Sequence, residues 1–205
     1  MTTPKGIMTK ELSLFPSEKS FYFHTFMKAK RFVEILLRQQ LWFFENDIKE
    51  LNLFIVGVGN VGSKLLSQIQ QQQQYLKDNL LLRIRVIAIS NSRTMVLGEE
   101  ALDLNQWSTA LENGKPTDIN AFFEHAKGLN LRNSIFVDNT ANAGIAYEYE
   151  RYLNNNIGVV TCNKIACADS LENYMSLKRS SRKYGSPFLF ETNVGAGLPI
   201  IDTLN

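Results

Sequence analysis

"FIVGVGNVG", Phe54 to Gly62, decides the fold. An apolar run ends in glycines spaced G-x-G-x-x-G. Ordinary β–α turns without a ligand also carry this pattern, so its neighbours must decide. Leu51–Val56 is β-rich and stopped by glycine, as a buried strand would be. Asn60 to about Lys77 follows, with Val61, Leu65, Leu66 and Ile69 on one helical face. Strand, turn and helix in that order are the setting a dinucleotide site needs. There Gly57 allows the tight turn, Gly59 lets main chain approach a pyrophosphate, and Gly62 lets the helix pack closely on the strand. Val58, Asn60 and Val61 complete the turn. The helix N-terminus offers N–H groups and a positive dipole end to phosphates. Gln70–Gln74 read as a solvated extension of the same helix.

Towards the C-terminus the alternation repeats. Arg83–Ser90 (RIRVIAIS), Ser134–Asp138 (SIFVD), Ile157–Thr161 (IGVVT) and Pro187–Glu191 (PFLFE) have the character of strands. Thr117 or Asp118 can cap a helix that runs to Gly128, and a helix is expected from about Asn142 to Leu153. Asp169–Glu172 has capping-box spacing, with Gly185 placed to end its helix. Residues 94–117 read as irregular, with a short helix around Leu104–Leu111. "VGAGLP" forms a glycine-rich turn before a helix start at Ile200–Leu204. Alternation over residues 51–191 predicts an α/β, Rossmann-like doubly wound fold, its mainly parallel sheet covered by helices on both faces. Before it, residues 1–20 read as a loose leader. From Phe21 to Leu51, Phe26, Phe32, Ile35, Leu36, Phe43, Phe44 and Ile48 recur with helical spacing. The expected division is therefore 1–49, leader and helical segment, and 50–205, dinucleotide-binding domain.

The totals exclude several classes. The chain has 205 residues, 44% apolar and 20% charged, ordinary for a soluble globular protein. A net charge of +2 is too near neutral to argue for a nucleic-acid partner. No apolar run approaches the ~20 residues of a bilayer span, and the N-terminus lacks the order of a signal peptide. Cys162 and Cys167 are too few for a disulfide framework, and read as free thiols in a reducing cytoplasm. With only His24 and His125, a histidine-based metal site or triad is not expected.

The end of the second strand speaks to cofactor choice. NAD-specific sites place an acid there, on the ribose 2′-hydroxyl. This chain has "ISNSR", Ile89 to Arg93, with no acid. Ser90 and Ser92 can hydrogen-bond, and Arg93 can pair bidentately with a 2′-phosphate. That favours NADP, with NAD as the alternative and a plain surface arginine as the bland one. Gly62 to Arg93 exceeds the usual ~20-residue spacing, which the glutamine-rich helix accounts for. Three later strand ends carry polar clusters: "VDNTAN" (137–142), "VVTCNKIA" (159–166) and "FETNVGAGLPIIDTL" (190–204). In a doubly wound sheet these ends converge on one crevice. Asp138, Asn139, Thr140, Asn163, Lys164 and Glu191 could then meet near a nicotinamide.

Taken together, GVGNVG, ISNSR, DNTAN, VVTCNK and ETNVGAGLPIIDTL resemble homoserine dehydrogenase, most closely the dehydrogenase half of bifunctional aspartokinase–homoserine dehydrogenases. The resemblance runs from about Phe43 to Asn205; residues 1–40 show none. It implies reversible NAD(P)H-dependent reduction of L-aspartate 4-semialdehyde to L-homoserine, on the route to threonine and methionine, in a cytoplasmic homo-oligomer without nucleic-acid or membrane partners. It implies a catalytic role for Lys164, whose ammonium could stabilise an alkoxide. It places Glu191, Gly195 and Gly197 beside the substrate. A monovalent cation would be held by main-chain carbonyls of Val194, Ala196 and Leu198, with Glu191 near. The family's acidic substrate residues, second lysine and dimer interface follow the point where this sequence stops. The expectation is thus a chain that holds cofactor but is weak or inactive alone.

Two other readings compete. Tyr174 and Lys178 fit the Tyr-x-x-x-Lys of short-chain dehydrogenases, but fall on a helix away from the strand ends and are read as coincidence. A non-catalytic NAD(P)-binding sensor would need the same glycine turn without the lysine chemistry.

Overall fold

The computed structural model describes residues 48–190. The strand before the glycine turn, β1 (Lys49–Val56), is the middle strand of a seven-stranded sheet. It is flanked on one side by β2 (Leu82–Ser90) and on the other by β5 (Ser134–Asp138), both parallel to it. β6 (Gly158–Thr161) and β7 (Phe188–Leu189) extend the parallel part. β3 (Thr94–Leu97) and β4 (Lys115–Pro116) add an antiparallel edge beyond β2, giving the order β4-β3-β2-β1-β5-β6-β7. The chain therefore winds outward on one side of β1, then returns to start again on the other. This reversal between β1 and β5 opens the crevice where doubly wound sheets bind ligands.

Strand alternation sorts the core into two layers. Leu53 and Ile55 of β1 face α1 (Asn60–Leu80), which buries Leu65, Leu66, Ile69 and Leu76, and α2 (Trp107–Glu112), which adds Leu111. Phe54 and Val56 face the opposite layer. There lie α3 (Ile119–Leu129), α4 (Ala143–Ala146), α5 (Tyr149–Leu153), α6 (Ile165–Ala168) and α7 (Leu171–Tyr184). Phe136 of β5 anchors this second layer. It stacks on Tyr152 with ring centroids 3.9 Å apart, and meets Phe122 and Tyr149 edge-on. Each such fully buried ring stabilises by about 1.5–3 kcal/mol, so the sheet is held from both sides.

β1, β2, β5, β6, β7, α1 and α3 fall where the sequence pattern puts them, and Gly185 ends α7 in a left-handed conformation at φ 65°. Four expectations change. Residues 94–117 are not simply irregular: β2 leaves a free edge, and Thr94–Leu97 folds back to satisfy it, with β4 following. Pro116 is tolerated because β4 is itself an edge. The helix expected over 142–153 is broken into α4 and α5. Glu148 N–H donates to Ile145 O and Arg151 N–H to Glu148 O, tightening the turn between them to i→i+3. The N-cap of α7 is Ser170, whose hydroxyl accepts from Asn173 N–H, while Asp169 accepts from the Asn173 amide. Lastly, the helical spacing traced to Leu51 gives way to strand from Lys49. The rest of that N-terminal segment, like Glu191 and the turn after it, lies outside the described residues. Among those described, no helix is long and apolar enough to cross a membrane.

Burial raises the hydroxyl pKa of Tyr152 above the ordinary tyrosine range. That hydroxyl has no hydrogen-bond partner among the described residues. An unpaired buried hydroxyl opposes folding. Tyr152→Phe is therefore expected to leave stability unchanged or raise it by about 1 kcal/mol in urea unfolding; a loss larger than that would reveal a partner.

Candidate functional site

The glycine turn is bolted to the end of β2. The N–H groups of Gly57 and Val58 both donate to the carbonyl of Ser90, at 2.9 and 3.0 Å. Gly57 turns the chain at φ 92°, a conformation that favours glycine. A Cβ there would also sit 2.8 Å from the Thr140 methyl and from Asn139 main chain. At Gly62 a Cβ would lie 2.5 Å from the Gly57 carbonyl oxygen, so α1 can pack this close only without a side chain. Gly59 is different: among the described residues a Cβ there meets no atom within 4 Å.

Helix α1 begins at this open place. Its first intrahelical bond runs from Ser63 N–H to Gly59 O, and no side chain caps it. The N–H groups of Asn60, Val61 and Gly62 occupy the positions that lack an intrahelical acceptor. By contrast Asp118, Asn142 and Ser170 each cap their own helix. A 21-residue helix that no described side chain caps at its N-terminus suits a phosphate.

One side of the crevice is the loop after β2. Asn91 Oδ1 accepts from the N–H groups of Arg93 and Thr94, at 2.7 and 2.8 Å. The Arg93 carbonyl accepts from Thr117 N–H at 3.0 Å. The loop is thus fixed at its main chain, while Ser92 and Arg93 are exposed. Ser90 departs from expectation. Its side chain is fully buried, with the hydroxyl 3.0 Å from the Asn91 carbonyl and 3.3 Å from the Thr117 hydroxyl. It shapes the loop and cannot face a ribose.

The other side is built by the ends of β5 and β6. Asn139 N–H donates to Val56 O at 2.9 Å, continuing β5 past β1. Its side-chain Nδ2 is buried, has no acceptor among the described residues, and lies 3.4 Å from where a Gly62 Cβ would be. An orphaned donor beside the glycine turn fits a bound polar group. Thr140 turns its methyl to Gly57 and accepts from Asn142 N–H.

Behind these loops lies a buried polar cluster. Asp138 accepts from Thr140 N–H (2.7 Å), from the Tyr149 hydroxyl (2.5 Å) and from Asn163 Nδ2 (3.0 Å). Asn163, expected to touch the cofactor, instead turns its amide inward. Nδ2 also donates to the Asn142 carbonyl, and Oδ1 accepts from Ile165 N–H. Lys164, enclosed by that Asx turn, is exposed at the C-terminal edge of β6. Tyr174 and Lys178 pack on the ring of Phe190, the residue that follows β7. Glu191, Val194, Gly195, Ala196, Gly197 and Leu198 lie outside the described residues. Among the described residues no three His, Cys, Asp or Glu side chains gather to hold a metal. Sequence reasoning missed Tyr149, because nothing in "AYEYERYL" marks which tyrosine reaches a strand end.

Residues 57–191 match the family described as "Homoserine dehydrogenase, NAD binding domain". The chain is 41% identical over 161 residues to the bifunctional aspartokinase/homoserine dehydrogenase of Haemophilus influenzae, covering 78% of this chain and 20% of that protein. It is 32% identical over 157 residues to homoserine dehydrogenase of Schizosaccharomyces pombe, covering 75% of this chain and 42% of that one. A hyperthermophilic archaeal homoserine dehydrogenase in complex with NADPH superposes with a TM-score of 0.61 at 25% identity, over 76% of this chain and 48% of that chain. The chain thus spans well under two thirds of the relatives it matches.

The two glycines separate fold from binding. Gly62→Ala is expected to destabilise the protein by about 1–3 kcal/mol through overpacking. Gly59→Ala should leave thermal stability nearly unchanged and weaken NADPH binding measured by fluorescence titration. Equal binding by wild type and Gly59→Ala would mean that no phosphate seats there.

Proposed function

The chain belongs to the homoserine dehydrogenase family, whose NAD-binding domain it carries, and we propose that it supplies the cofactor half of an enzyme interconverting L-aspartate 4-semialdehyde and L-homoserine. The observation that carries this reading is one crevice edge that brings together an open glycine turn, an uncapped helix and the orphaned Asn139 amide. Bound NADPH would supply a hydride to the aldehyde carbon.

The chain's own residues do the rest. The N–H groups opening α1 neutralise the pyrophosphate. The Asn91 turn aims Arg93 outward, where its guanidinium pairs with a 2′-phosphate and favours NADP over NAD. Asn139 donates to the nicotinamide half of the cofactor. Lys164 places an ammonium where the aldehyde oxygen gains charge, and supplies or relays its proton. Gly195 and Gly197 would border the substrate, and the carbonyls of Val194, Ala196 and Leu198, with Glu191, would hold a monovalent cation. The substrate is a small molecule, and the working enzyme is a homo-oligomer in the cytoplasm.

Two measurements test this. Arg93→Ala should weaken NADPH binding by about 1–3 kcal/mol, the value of a charge-assisted contact, and leave NADH binding unchanged. Equal weakening of both would remove the 2′-phosphate role. Joined to the substrate-binding half of a family member, the chain should oxidise NADPH with aspartate semialdehyde. Lys164→Ala should abolish that turnover while NADPH still binds; loss of binding and turnover together would remove the catalytic role.

A further inference from the structure

The loop that carries Asn139 and Thr140 and the loop that carries Asn163 and Lys164 leave different strands. They share one anchor. Tyr149, from α5 behind the sheet, reaches both strand ends with a single hydroxyl. It donates to Asp138 Oδ2 at 2.5 Å and lies 2.7 Å from Thr161 Oγ1. A phenol has one proton, and it goes to the carboxylate, so Thr161 donates to Tyr149. Thr161 Oγ1 in turn accepts from Asn163 N–H at 2.8 Å. The Asp138 carboxylate closes the circuit through Thr140 N–H and Asn163 Nδ2. Asp138, Tyr149, Thr161 and Asn163 are all buried.

We propose that the Tyr149 hydroxyl, through Asp138 and Thr161, is a positioning group that presets the nicotinamide half of the crevice and the main chain of Lys164. A dinucleotide spans both halves of a doubly wound sheet. The adenosine half here is set by Ser90 and Asn91, whose side-chain hydrogen bonds go to the loop after β2 and to Thr117, and by the glycine turn, which meets this circuit where the Thr140 methyl lies against Gly57. The nicotinamide half depends on two loops that have only a few residues each and no capping helix of useful length. Without the circuit they must be ordered by the ligand, and ordering weakens binding. Burial, first, and then the neighbouring carboxylate keep the Tyr149 hydroxyl protonated well above the ordinary tyrosine range, so it remains a donor. The ring itself packs edge-on to Phe136 and against Phe188, and that packing survives removal of the oxygen.

This inference rests on the chain binding NADPH as proposed above. Its test uses this chain with two probes: NADPH, and adenosine 2′,5′-bisphosphate, which has no nicotinamide. Tyr149→Phe is expected to raise the NADPH dissociation constant about five-fold, the worth of one hydrogen bond. It should leave the bisphosphate unchanged. Thr161→Val cuts the same circuit from β6 and should do the same. A merely structural role would weaken both probes together or neither, and either result overturns the proposal. So does failure of both variants to fold, which would make the circuit a folding element. If wild type binds neither probe, the cofactor reading falls first and takes this one with it.

Discussion

One carbonyl holds the first side of this crevice together. Ser90 O accepts from both Gly57 and Val58, so the glycine turn and the loop after β2 are fixed to each other and not just to the sheet. The geometry of the turn follows from it. Two donors converge on one oxygen where φ at Gly57 is positive, and α1 starts three residues further on, next to Gly59. The Ser90 side chain works in the same direction, its hydroxyl buried against the Asn91 carbonyl and Thr117. A serine that looks like a ribose contact on paper is a fastener.

The opposite side of the crevice is organised differently. There the fastening is by side chains: a carboxylate, a phenol, a threonine and an amide, all buried, each satisfying another. Buried polar groups are costly when half-satisfied and specify one arrangement when complete. Completeness here fixes the Asx turn around Lys164, which leaves its side chain exposed at the crevice edge. Asn139 is the exception, its Nδ2 buried without an acceptor among the described residues.

Much of the fold was legible because it rests on local rules. The apolar run to Val56, the glycine spacing, the Asp118 cap and the Gly185 stop are each decided within a few residues. The errors fall where distant residues decide. β3 exists because β2 offers it an edge, and four residues, Thr94–Leu97, carry too weak a period to announce that. The break between α4 and α5 is made by the i→i+3 turns at Glu148 and Arg151, and apolar spacing does not announce it, because Ile145 and Tyr149 would share a face of an unbroken helix as well.

By itself the sequence determined the strand–turn–helix, the absence of an acid after β2, and the strings that mark the family, because these are matters of residue type at short spacing. Tertiary structure decided which polar residues are exposed and which turn into the protein. Ser90 and Asn163 turned inward, Arg93 and Lys164 outward. A side chain's direction at a strand end is set by what the neighbouring strand and the helix behind it offer as hydrogen-bond partners. For Ser90 the distant partner is Thr117, 27 residues away, and for Asn163 it is Asp138, 25 residues away.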